Sequence, residues 1–167
     1  DPLTGLPNRT LLYERIDAAV ERAIRESKHM VVLSMDIDQF KMVNDSMGHD
    51  VGDMLIQQMA QRLKECVRDS DTVCRTGGDE FVIVLQHIKN VEEIVPITEK
   101  IADQISQTMH VSDTDFNLTA SIGVSVFPED GTDRDTLMRN ADIAMNFAKE
   151  TGRNRYRFFT EDLSEVA

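Results

Sequence analysis

The sequence contains no tryptophan, and only 5% of its residues are aromatic. Its two cysteines, Cys66 and Cys74, are too few for a disulfide framework, so both are expected as small reduced core residues of a cytoplasmic domain. Long apolar runs are missing as well. Met30–Leu33 and Phe81–Leu85 fall far short of the ~20 residues needed to span a bilayer. Positive charge is scarce, with 18 Lys and Arg against 30 Asp and Glu and a net charge of −12. That balance excludes a general nucleic-acid binder, which needs a positive field along the phosphates. It leaves open a polyphosphate ligand bridged by a divalent metal. The opening Asp1-Pro2-Leu3-Thr4-Gly5 is no signal peptide, and a chain without an initiator Met is expected to belong to something longer. Any membrane anchor would lie in that longer protein.

What is present is a globular composition, 41% hydrophobic and 29% charged over 167 residues, the size of one domain. Asn8 reads as the N-cap of a helix from Arg9 to about Ser27, with Leu12, Ile16, Ala19 and Ala23 at helical spacing. Val31–Ile37 reads as a strand. Asn44 to Gly52 is rich in Asn, Asp and Gly and is expected as a loop. A second long helix follows on Met54, Leu55, Met59, Leu63 and Val67. Thr72–Arg75 and Phe81–Leu85 flank a Gly77-Gly78 turn as a hairpin. Ile94, Ile97, Ile101, Ile105 and Met109 predict a third helix with Pro96 in its first turn. A strand lies within Phe116–Phe127 and a helix capped by Thr132 or Asp133 ends at Gly152, before a last strand, Tyr156–Phe159. The order predicts an α+β fold, a mainly antiparallel sheet with a βαββαβ core flanked by helices.

Two acidic clusters sit at strand ends. Asp36 and Asp38 close the first strand, and Asp79 and Glu80 open the third. In a split βαββαβ sheet these strands are antiparallel neighbours, so Asp36 should face Asp79 and Glu80. Like charges that close repel unless a cation lies between them, and oxygen ligands suit Mg²⁺ or Mn²⁺. Two solvated turns explain the acids alone equally well. Gly77-Gly78 leaves backbone N–H groups open to a phosphate, although such a pair is also an ordinary hairpin turn. Lys41, Lys149 and Arg153 are the candidate phosphate contacts. Helix C-terminal electrostatics accounts for Lys149 and Arg153 as well.

Arg75-Thr76-Gly77-Gly78-Asp79-Glu80-Phe81 resembles the signature of the GGDEF family, the diguanylate cyclases. The opening Asp1–Arg9, Asp36-Ile37-Asp38-Gln39-Phe40-Lys41, Asn44-Asp45, Gly48–Asp53, Ala120–Val124, Ala141–Met145 and Gly152–Arg155 resemble the family's other blocks in the same order. The resemblance implies a fold related to nucleotidyl cyclases and polymerase palms. It implies condensation of two GTP into cyclic di-GMP by a homodimer, with Mg²⁺ or Mn²⁺ held by Asp36, the Ile37 carbonyl, Asp79 and Glu80. Asp79 and Glu80 would be catalytic. Phe40, Lys41, Gly77, Gly78, Lys149 and Arg153 would contact phosphates. Asn44 and Asp53 would read guanine, with His49 nearby. Without the resemblance, Asn44 passes for a turn residue and Asp53 for a first-turn acid.

Arg68 and Asp71 resemble the family's RxxD inhibitory site, which implies product binding. Phe158–Leu163 resembles the join to an EAL phosphodiesterase domain. The expected organisation is therefore one domain over 1–167, with 160–167 starting a linker, and upstream sensory domains in the longer protein. In such tandems the alternative role is a catalytically weak GGDEF module that binds GTP or cyclic di-GMP and regulates the attached phosphodiesterase.

Overall fold

The computed structural model describes residues 1–161. The expected linker lies mostly beyond them, from residue 162 onward. The elements are α1 (Arg9–Glu26), β1 (His29–Ile37), α2 (Phe40–Met47), α3 (His49–Cys66), β2 (Thr72–Gly77), β3 (Glu80–Ile88), α4 (Ile94–Ile105), β4 (Met109–Val111), β5 (Thr114–Phe116), β6 (Ala120–Phe127), α5 (Arg134–Glu150) and β7 (Arg155–Phe158). A five-stranded sheet runs β2-β3-β1-β6-β7. Its pairs are antiparallel except β6 with β7, which is parallel. The predicted α+β architecture and the antiparallel β1–β3 pair are both observed.

Helices cover both faces of the sheet, so every β1 residue from Met30 to Ile37 is buried. Alternate residues of each strand serve opposite faces. Val31, Leu33, Met35, Phe81 and Ile83 pack with Leu55, Met59 and Leu63 of α3 and Ile101 of α4. Val32, Val82 and Val84 pack with Leu12 and Ile16 of α1 and Leu137 and Ala141 of α5. Burying a side chain such as Phe81 or Ile16 contributes about 1.5–3 kcal/mol. Cys66 and Cys74 lie buried with their thiol pKa values raised chiefly by burial, that of Cys74 to about 12, as expected of core residues. Asn8 and Asp133 cap α1 and α5 by accepting from Leu11 N and Thr136 N. Among the described residues no helix is long and apolar enough to cross a membrane.

Two expectations are corrected. The stretch from Asn44 to Gly52 is helical, broken only at Gly48, whose φ of +90° suits glycine. Phe40 is buried and Val43 packs against the core, which stabilises a short α2 despite its polar composition. Gly52 then lets α2 approach α3, because a Cβ there would lie 1.8 Å from Asn44 Oδ1. The third helix of the prediction ends at Ile105, not Met109. Arg62 donates to the carbonyls of Gln104, Gln107 and Thr108 and so captures the end of α4. Met109 begins the small β4–β5 hairpin.

Helix α5 lies close against the sheet at Gly123. A Cβ there would lie 2.0 Å from the Ala141 carbonyl oxygen and 2.2 Å from Met145 N, both main-chain atoms. Gly123→Ala is therefore expected to push α5 off the sheet and destabilise the fold by about 1–3 kcal/mol. Denaturant unfolding would show it, and an unchanged midpoint would contradict this account of the α5 contact.

Candidate functional site

The register of β1 against β3 sets Asp36 opposite Glu80, and Ile37 N–H donates to the Asp79 carbonyl at 3.2 Å. The carboxyls of Asp36 and Asp79 are close neighbours. Burial first, then the adjoining Asp36 carboxyl and its charge, with a further push from Glu80, raise the Asp79 pKa from 3.8 to about 7. Lys149, the penultimate residue of α5, hydrogen bonds through Nζ to Asp36 Oδ2. Asp36 is buried, Asp79 half-buried and Glu80 exposed. Ser34 Oγ donates to Asp142 Oδ1 at 2.8 Å and helps set α5 over β1.

Among the described residues, no three His, Cys, Asp or Glu side chains are grouped so as to hold a metal. Two carboxyls do converge. The third candidate, Glu80, is exposed and stands across the strand pair from Asp36. The donor chemistry fits Mg²⁺ or Mn²⁺, which favour carboxylate oxygens. The repulsion of the two acids is relieved at Asp36 by Lys149 and raises the Asp79 pKa.

Gly77 and Gly78 form the turn beside these acids, Gly78 with φ +39°. A Cβ on either would meet nothing within 4 Å, so open space lies before the turn. Arg75 braces it, donating from Nε and Nη2 to the Gly78 carbonyl at 3.0 and 2.8 Å. The same guanidinium reaches the Asp1 carboxylate at 3.2 Å, and Arg75 N–H donates to the Pro7 carbonyl. Arg75 was not singled out from sequence. Its partner Asp1 lies 74 residues away, a separation that no local pattern reveals.

Two residues after β1, Phe40 opens α2 as a buried anchor and Lys41 is exposed beside it. Asn44 lies against Gly52, next in the chain to Asp53, at the α2–α3 crossing. His49 and Asp53 are exposed on the first turns of α3. Arg153 is exposed just after α5 and lines a cleft of about 550 Å³ with Asp38, Gln39, Met42 and Gly152. Asn44, His49, Asp53 and the Gly77-Gly78 turn do not line that cleft. Asp36, Asp79 and Lys149 thus meet directly, while the α2–α3 residues and Arg153 form separate groups around them.

At the opposite end of β3, Arg68 and Asp71 are bound to each other and to the sheet. Asp71 accepts from Arg68 N at 3.1 Å, Arg68 Nε at 3.4 Å and Gln86 N at 2.9 Å. Arg68 Nη2 donates to the Gln86 carbonyl. Asp71 therefore has a structural task, fastening β3 to the loop before β2.

The raised Asp79 pKa carries a sign. A carboxyl that holds its proton more tightly when folded favours the folded state at low pH, and that contribution is lost as pH rises through the folded value. Without divalent metal, the thermal midpoint should fall between about pH 4 and 7 more steeply in the wild type than in Asp79→Asn. Parallel pH profiles would contradict this account of the acid pair.

Comparison with known proteins identifies the family. Residues 1–155 match the family model described as the diguanylate cyclase GGDEF domain. The chain is 43% identical over its whole length to the bifunctional diguanylate cyclase/cyclic di-GMP phosphodiesterase MucR of Pseudomonas aeruginosa, covering 24% of that protein. It thus spans about a quarter of that relative's length. Its fold matches the solved structure of a delta-N mutant of TpbB (YfiN) from Pseudomonas aeruginosa comprising only the GGDEF domain, with a TM-score of 0.96, at 31% identity and coverage of 99% of this chain and 97% of the other. It also matches the GGDEF domain of DgcB from Caulobacter crescentus, solved in complex with c-di-GMP, with a TM-score of 0.85, 27% identity and coverage of 95% and 91%. With a family match over nearly all of its length and GGDEF domains among its structural neighbours, this chain belongs to the diguanylate cyclase GGDEF-domain family.

Proposed function

We propose that this domain condenses two GTP molecules into cyclic di-GMP with release of two pyrophosphates. The observation that carries this is the Asp36–Asp79 pair beneath an open Gly77-Gly78 turn. In each half of the reaction a 3′-oxygen bonds to an α-phosphorus, the bond from that phosphorus to the pyrophosphate oxygen breaks, and the 3′-proton must be taken up. Asp79, a carboxyl at this centre, is the candidate acceptor of that proton. Asp36, the Ile37 carbonyl, Asp79 and Glu80 would hold Mg²⁺ or Mn²⁺, and the bound ion would stabilise charge on the attacking and leaving oxygens.

Around this centre the remaining residues bind and orient. Lys149, paired with Asp36 in the free domain, is within reach of a phosphate at the same place. Lys41 and Arg153 add exposed positive charge, and the N–H groups of Phe40 and Lys41 open a helix, where anions are favoured. Asn44 and Asp53 would pair with the guanine edge, with His49 at the rim. A buried hydrogen bond left unmade with adenine costs about 1–3 kcal/mol, enough to discriminate. Each domain holds one GTP, so two must face each other as a homodimer to close the cyclic product. Arg68 and Asp71 would bind product and inhibit, Arg68 releasing Gln86 to do so. The domain would occupy 1–167 of a longer cytoplasmic or membrane-anchored protein, with 160–167 leading to an EAL domain and with sensory domains upstream.

The likeness to MucR, a bifunctional protein of which this chain covers 24%, supports a second reading. Here the domain binds GTP or cyclic di-GMP and regulates an attached phosphodiesterase with little turnover. Incubation of the domain, dimerised by a fused coiled coil and freed of bound product, with GTP and Mg²⁺ separates the two. Cyclic di-GMP should form, and Asp79→Ala or Glu80→Ala should lower the rate by about 100-fold or more. Nucleotide binding by calorimetry with no product would overturn the cyclase assignment and leave the regulatory one. Arg68→Ala should relieve product inhibition. It is the better probe than Asp71→Ala, which would also unfasten β3.

A further inference from the structure

The acids of Asp36-Ile37-Asp38 have different tasks. Asp36 meets Lys149. Asp38 accepts from Ser121 Oγ at 2.6 Å, from Thr119 Oγ1 at 2.6 Å and from the Asn154 main-chain N–H at 2.9 Å. Its own N–H donates to the Thr119 carbonyl at 2.9 Å. With three donors on its carboxylate, Asp38 is committed to the frame.

The segment it holds is unusual. Gly152, Arg153 and Asn154 follow one another with φ of +126°, +58° and +46°. Glycine takes such values freely and asparagine tolerates them, but an arginine there is disfavoured by its Cβ. A disfavoured residue persists only where its surroundings hold it. Arg153 N–H donates to the Ala148 carbonyl at 3.0 Å on one side, and Asp38 holds Asn154 on the other. Immediately beyond, Arg155 pairs with Ser121 in the sheet, and the Ser121 hydroxyl is itself bonded to Asp38. One carboxylate therefore joins the start of β6, the approach to β7 and the turn that carries Arg153.

We infer that Asp38 is a positioning residue for Arg153, fixing the left-handed turn that presents this guanidinium at the cleft beside Gln39. The inference rests on the GTP assignment above insofar as Arg153 serves the phosphates of GTP. Asp38 acts through the Asn154 N–H. Replacement by Ala removes every acceptor. Replacement by Asn keeps one acceptor oxygen of the two.

The test has two arms on the same chain. In nucleotide-free protein, Asp38→Ala should raise amide hydrogen exchange at Asn154 by about tenfold, the loss of one hydrogen bond, while Val32 in mid-β1 exchanges as before. Cα chemical shifts of Arg153 and Asn154 should leave their left-handed values. In calorimetry with GTP and Mg²⁺, Asp38→Ala should weaken binding by the same factor as Arg153→Ala, and the double variant should bind no more weakly than Arg153→Ala alone. Asp38→Asn should fall between wild type and Ala, and it carries both arms if Asp38→Ala does not fold. Unchanged exchange at Asn154, or losses that multiply in the double variant, would overturn the inference. A wild type that binds no GTP would refute the nucleotide assignment instead, and the exchange arm then decides whether Asp38 holds the turn.

Discussion

Asp36 and Asp79 meet because β1 and β3 are antiparallel neighbours at the centre of the sheet, which brings the end of one strand beside the start of the other. Helices on both faces bury these strands, and Asp36 is buried while Asp79 is half-buried, so water solvates the pair only in part. The pair therefore needs a positive partner or a shared proton. Lys149 from α5 is the positive partner, and burial beside Asp36 raises the pKa at which Asp79 would take up a proton. The Gly77-Gly78 turn, the α5 terminus and the α2 terminus are arranged around that electrostatic demand.

The demand also gives meaning to the net charge of −12. A domain this acidic repels an anionic nucleotide at long range, so the field must be inverted locally. Lys41, Lys149 and Arg153 supply positive charge, and Lys149 is already engaged by Asp36. A divalent cation between the acids would free Lys149 and make the centre attractive to phosphate. The affinity for nucleotide and the occupancy of the acid pair are then one linked equilibrium.

Much of this was legible from residue order. β-branched runs marked β1 and β3, and the antiparallel pairing of these strands foretold that Asp36 would meet Asp79. The α2–α3 hairpin was misread as a loop. Its Asn, Asp and Gly content signals turns, and only the tertiary burial of Phe40 and the Asn44–Gly52 contact make it helical. The roles of Asp38, Arg75 and Asp71 were hidden for another reason. Asp38 finds its partners 81 to 116 residues away, and Asp71 finds Gln86 across a strand. No local period encodes such pairs. From sequence, Asp38 looked like half of an acidic cluster.

The supporting shell has as much order as the centre. Arg75 ties the first residues of the chain to the Gly78 carbonyl, Asp38 ties the end of β1 to the Arg153 turn, and Gly123 lets α5 lie close enough for Lys149 to reach Asp36. The most direct measurement of the central claim is a calorimetric titration of GTP into the domain with and without Mg²⁺ near neutral pH. The account predicts tight binding with Mg²⁺ and weak binding without it, the dependence vanishing in Asp36→Ala. Equally tight binding in the absence of divalent metal would contradict it.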